Sequence, residues 1–128
     1  SPDGTLVLTA CADHVVRLWS MINGQCNQEF KHTEQLRLAS FSPDGMCIAT
    51  ACADFSLYLW KVDLGECLWK VSAHTAEILA ITFSADGSLL VSGSADCSSK
   101  IWSVSRGQCT WPLEGHRANV LAAAVSPW

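Results

Sequence analysis

One phrase is written three times in this chain and begun a fourth time. Ser1-Pro2-Asp3-Gly4, Ser42-Pro43-Asp44-Gly45 and Ser84-Ala85-Asp86-Gly87 recur at spacings of 41 and 42 residues, and Ser126-Pro127-Trp128 restarts the phrase after 42 more. Each Asp-Gly turn leads into a run of small and apolar residues, then a second Asp, then a run ending in tryptophan at Trp19, Trp60 or Trp102. Self-similarity at about 40–45 residues, in units of short strands, is the signature of a repeat array. A fold built on such a period stacks similar units, each burying its face on the next.

Within a unit the spacing predicts four strands. In the middle one they cover 36–41, 46–52, 56–61 and 66–72, with Gly45 and Gly65 closing turns. Gly24 and Gly107 close the second kind of turn in the other units, five residues after each tryptophan. Helical periodicity is absent, so the fold class is all-β. Ile48-Ala49-Thr50-Ala51-Cys52 and Val91-Ser92-Gly93-Ser94 do not alternate between apolar and polar, as a sheet with one wet face would. Both faces must be covered, and radial stacking of small sheets does this.

Composition narrows the function classes. The net charge is −4 and the eight basic residues form no cluster, which excludes a partner bound through its phosphate backbone, so no nucleic acid is expected. No run approaches the roughly 18 apolar residues of a membrane span, and no membrane partner is expected. Hydrophobic residues make up 49% of the chain, which implies surface to be covered by something else. Seven cysteines cannot all pair within one chain. Cys26, Cys67 and Cys109 share one slot of the repeat, and Cys11 and Cys52 share another with Ser94, so they read as small apolar residues in a reducing, intracellular compartment, cytoplasmic or nuclear. No Cys-x-x-Cys is present and each histidine stands alone; no metal or cofactor is expected.

These units resemble the blades of WD-repeat β-propellers, and the resemblance runs the length of the chain. It implies a structural tetrad in each blade: a His before the first strand, a Ser or Thr in the second, an Asp in the next turn and a Trp in the third. The middle unit supplies His32, Thr50, Asp54 and Trp60, and the next His74, Ser92, Asp96 and Trp102, at identical spacings of 18, 4 and 6. The first keeps Thr9, Asp13 and Trp19, while His116 opens a fourth. The family's Trp-Asp pair reads Trp19-Ser20, Trp60-Lys61 and Trp102-Ser103 here. Ser, His and Asp together invite a catalytic reading, but a reaction centre has no reason to be copied into every repeat, whereas a turn-locking network has. The chain is expected to have no catalytic residues and not to be an enzyme.

The repeat divides the chain into 1–32, a blade lacking its first strand; 33–74 and 75–116, complete blades; and 117–128, the first strand of a further blade. Three blades' worth of strands cannot close a ring of about 4–8 blades, so further blades or a second copy are expected. The resemblance implies a platform for protein or peptide partners on the face bearing the His and Asp loops. The candidate partner-binding residues there are Thr33, Glu34, Gln35, Thr75, Glu77, Arg117 and Asn119, with His14 and Phe55 (and Cys97) behind the turn aspartates. Small Ala12, Ala53 and Ala95 precede those aspartates, where an aromatic or arginine would have marked a hot spot. A purely ring-completing segment and an autoinhibitory sensor of a larger signalling protein are the alternative roles.

Overall fold

Each repeat folds as a meander because its turns are chemically specified. A computed structural model of the chain describes residues 1–127. In the Asp-Gly turns the Ser hydroxyl donates to the Asp carboxylate at 2.6 Å in all three copies, from Ser1 to Asp3, Ser42 to Asp44 and Ser84 to Asp86. The same carboxylates accept the N–H groups of Thr5, Met46 and Ser88 at 2.9–3.0 Å. Gly45, at φ +72°, takes the left-handed conformation that lets the second strand turn back on the first.

The strands are β1 (Leu6–Ala10), β2 (Val15–Ser20), β3 (Cys26–Lys31), β4 (Leu36–Phe41), β5 (Cys47–Cys52) and β6 (Ser56–Lys61). After them come β7 (Glu66–Ser72), β8 (Ile78–Phe83), β9 (Leu89–Ser94), β10 (Ser99–Ser103) and β11 (Gln108–Leu113). They form three antiparallel sheets: β1-β2-β3, β4-β5-β6-β7 and β8-β9-β10-β11. The strands expected in the middle unit are all present, the second starting one residue later, at Cys47. Each fourth strand bulges opposite the tryptophan of the third, with Asn27, Leu68 and Thr110 as the extra residues facing the Leu18/Trp19, Leu59/Trp60 and Ile101/Trp102 steps. Such bulges bend a strand and re-aim its side chains.

The core lies between the sheets, as the two-sided apolar strands require. Val16, Leu18 and Phe30 of the first blade meet Ile48, Tyr58 and Trp60 of the second. Ala49, Leu57 and Leu59 on its other face meet Ile78, Leu90 and Trp102 of the third. Full burial of one such side chain is worth about 1.5–3 kcal/mol, so each blade is stabilised largely by its neighbour. All seven cysteines are free thiols, and burial pushes that of Cys52 up to about 12.

Residues 117–127, expected as the first strand of a further blade, form no strand. Among the described residues no strand lies alongside them to complete a ladder. They are anchored on the third sheet by Val120, which is buried and donates its N–H to Ser94 O at 2.9 Å. Trp128 lies outside the described residues.

Candidate functional site

The third blade joins all four of its expected residues. An indole N–H can only donate, and that of Trp102 donates to Ser92 Oγ at 2.9 Å. The Ser92 proton is then directed to His74 Nε2 at 2.7 Å, and His74 Nδ1–H donates to Asp96 at 2.9 Å. Asp96 also accepts the N–H of Thr75 at 3.2 Å and that of Ser98 at 2.9 Å. The network ties the loop before the first strand to the turn and the third strand of one blade. Its Ser-His-Asp geometry resembles a hydrolytic triad, but Ser92 is wholly buried and its oxygen is occupied by the indole. No electrophile can reach it.

The second blade departs from this pattern. Thr50 Oγ1 accepts Trp60 Nε1–H at 3.2 Å and lies 2.8 Å from His32 Nε2. His32 Nδ1, however, points to Phe30 O at 3.0 Å, and Asp54 does not join it. Asp54 instead holds Ser56 and faces Lys70 Nζ at 3.6 Å. Lys70 also sits 5.0 Å above the Tyr58 ring, whose hydroxyl is 3.4 Å from Thr33 Oγ1. At the position of Lys70 the third blade has Pro112, so Asp96 does not face the cation that draws Asp54. In the first blade Trp19 donates to Thr9 at 2.8 Å while Asp13 pairs with Arg17 at 2.8 Å. His116 is exposed and meets no hydroxyl among the described residues.

Burial, not the hydrogen bonds, keeps these histidines neutral. Burial pushes the imidazoles of His32 and His74 below 6.5, and for His74 it outweighs the pull of Asp96. Burial also works against the charge of Asp96, but the Ser98 hydroxyl and N–H, His74 and the Thr75 N–H outweigh it and hold the carboxyl well below the usual carboxylate range. An unfolded histidine takes up a proton near pH 6.5 while the folded one resists, so stability falls as pH drops from neutrality. Asp96, depressed in the fold, adds its own loss only below about pH 4. The urea midpoint is expected to be lower at about pH 5.5 than at pH 7. Replacing both His32 and His74 by Gln should flatten that difference, at some cost at neutral pH.

A second contact binds blade to blade. Trp69 Nε1 donates across the joint to Val104 O at 2.7 Å. Its ring lies under Gly107, where an added Cβ would come within 2.6 Å of it. Gln28, the counterpart of Trp69, lies under Gly65 in the same way. Trp69 and Trp111 recur at one place in the outer strand, which from sequence reads as edge packing or a lateral contact; for Trp69 the contact is a specific inter-blade hydrogen bond.

The candidate partner-binding residues lie at one end of the sheets, opposite the Asp-Gly turns. Thr33, Glu34, Gln35 and Thr75 are exposed there, with Glu77, His14 and Phe55 half-buried. His14 Nδ1 lies 3.3 Å from Thr33 O, and Glu77 pairs across the blade joint with Arg37 at 3.4 Å. Arg117 and Asn119 are exposed just before the Val120 anchor. His14, Phe55 and Cys97 all have positive φ, 66–69°, which costs a non-glycine residue about 1–2 kcal/mol. Sequence reasoning missed Tyr58 and Lys70. The available signal was the position two before each tryptophan, which holds Arg17, Tyr58 and Lys100, each with a polar partner across its blade.

A family model described as "WD domain, G-beta repeat" matches residues 1–20, 24–61 and 65–103. A solved structure of U3-55K is 23% identical and superposes with a TM-score of 0.88 over 94% of this chain. The chain spans only 39% of that one. A comparison with curated proteins finds no match. With repeats matched over most of its length, and with blades, turns and a full tetrad of the expected form, the chain belongs to the WD-repeat family and folds as part of a β-propeller.

Proposed function

We propose that this chain is a non-catalytic scaffold segment that holds a protein or peptide partner on the end bearing the His and Asp loops. The observation that carries this reading is the end surface itself. Phe55 is held with its backbone in a left-handed conformation between the exposed Thr33–Gln35 and Thr75 loops, a rigid aromatic beside adaptable polar groups. Because Asp96 of the third-blade tetrad holds the Thr75 N–H, and the Ala73 and His74 N–H groups donate to Phe55 O, a partner need not order these loops on binding. The free thiols support a reducing, intracellular setting, cytoplasmic or nuclear. Val7 and Trp111, exposed on the first and third blades, favour completion of a ring by further blades or a second copy.

The test is to pan a random peptide display library against the chain and map the selected peptides by amide chemical-shift changes. Changes centred on Thr33–Gln35, Phe55 and Thr75, and about tenfold weaker binding by Phe55→Ala, are expected. Shifts centred instead on the opposite end, around Met46 and Val62, would overturn the assignment of the face.

A further inference from the structure

The second and third blades place the same residues at the same spacings, and their networks differ at one corner. In the third, Asp96 accepts from His74 Nδ1 at 2.9 Å and from the Thr75 N–H at 3.2 Å. In the second, Asp54 reaches neither His32 nor the Thr33 N–H, and that N–H meets no acceptor among the described residues. The loop around it is held nonetheless. His32 N–H donates to His14 O at 2.9 Å, and Ala53 N–H donates to Gln35 O at 2.7 Å.

Asp54 is kept away by a weak partner. Lys70 Nζ lies 3.6 Å from its carboxylate, too long for a hydrogen bond, and the Lys70 side chain is 46% exposed. An ion pair with that exposure contributes little. The neighbouring blades hold their cations more tightly: Arg17 on Asp13 and Glu29 at 2.8 and 3.0 Å, and Lys100 on Ala73 O at 2.6 Å. Beside Lys70, Tyr58 Oη and Thr33 Oγ1 stand 3.4 Å apart, and Lys70 Nζ is 5.0 Å from the Tyr58 ring centroid. Two hydroxyls bonded to each other use one proton and leave the second to donate. Thr33 is exposed, so that proton is open to a ligand. A loosely held ammonium and a spare hydroxyl proton, next in the chain to Phe55, are the donor set a carboxylate takes.

We infer that this corner receives an acidic side chain of the partner peptide, its carboxylate taking Lys70 Nζ and the Thr33 hydroxyl while Asp54 turns in to His32. This rests on the reading of this end as the peptide-binding face, and it names the chemistry of the peptide beside Phe55. The exchange of partners conserves the pairing. Lys70 trades one carboxylate for another, and Asp54 gains His32 Nδ1–H and the Thr33 N–H, the counterparts of the two groups Asp96 already holds. His32 gives up Phe30 O and keeps Thr50 at Nε2. A ligand that prefers one arrangement shifts the protein towards it, so an acidic peptide also closes the buried network of the second blade.

Three peptide display libraries test this, identical except that the central position is fixed as Asp, Asn or Lys. On the wild-type chain the Asp pool should be enriched about tenfold over the Asn pool, with the Lys pool poorest. Lys70→Met keeps the stem beside Tyr58 without the charge and should erase the preference, whereas Lys70→Arg should retain it. Exchange of the Thr33 amide should slow about tenfold in Lys70→Met with no peptide present, as for one hydrogen bond gained. Adding Asp54→Ala to that variant should return it to the wild-type rate, with circular dichroism confirming the fold. Equal Asp and Asn pools, a preference that survives Lys70→Met, or a Thr33 amide unaltered by Lys70→Met each overturns the inference. In any of these cases, peptides that still map to Thr33–Gln35 and Phe55 leave the binding face standing. The absence of a binder from every pool overturns the face, and the acidic subsite with it.

Discussion

Phe30→Ala is expected to destabilise the chain by about 3–5 kcal/mol, a large share of the roughly 5–15 kcal/mol that holds an ordinary domain folded. Phe30 is wholly buried between the first and second blades, with its ring 5.7 Å from that of Trp60 in an edge-on arrangement. Removing it opens a cavity lined by Val16, Ile48 and Trp60, which the sheets cannot close without moving as units. The control is built into the repeat. Leu113 holds the same position in the third blade but is 44% exposed, and Leu113→Ala should cost under about 1 kcal/mol. Urea midpoints of the two variants decide the matter. A similar shift in both would mean that the inter-blade cluster does not supply the stability of the fold.

Ser92→Ala is expected to cost about 2–4 kcal/mol, more than its single oxygen atom suggests. That oxygen accepts from Trp102 and donates to His74, so its loss leaves a buried indole N–H and a buried imidazole nitrogen without partners. Each orphaned group carries a desolvation cost of about 1–3 kcal/mol. Thr9→Ala removes the equivalent acceptor in the first blade, where Thr9 is exposed and water can take over the Trp19 N–H. There the loss should be about 0–1 kcal/mol. Equal urea shifts in the two variants would argue that the tetrad is incidental to stability.

Much of this architecture was legible in the sequence because the determinants are local and repeated. Asp44 and Gly45 specify a turn through their own backbone and carboxylate chemistry, and the same turn recurs around Asp3 and Asp86. Repetition converted Trp60 and Trp102 from candidate core residues into markers of register. What escaped the sequence was decided by side chains far apart in the chain. Asp54 has the spacing of Asp96, yet Lys70 draws it away from His32, and only the geometry of Tyr58 and Lys70 reveals this. Trp69 looks like any outer-strand aromatic until Gly107 and the Val104 carbonyl, in the next repeat, are placed above it. The expected strand over 117–128 carries the right pattern, but a strand is a property of a pair, and pattern cannot supply the neighbour.

The middle sheet is walled on both sides, with Ile48 and Thr50, Leu57 and Leu59 all at zero exposure, whereas β1 and β11 lie largely open. Stability that resides in the walls between units behaves like a short row of coupled switches, each held on by those beside it. Local opening should therefore proceed inwards from the ends, and the amides of β5 and β6 should be the last to exchange with solvent. On that account the firmest ground on the proposed partner-binding end is the loop around Phe55, which the best-protected strands carry.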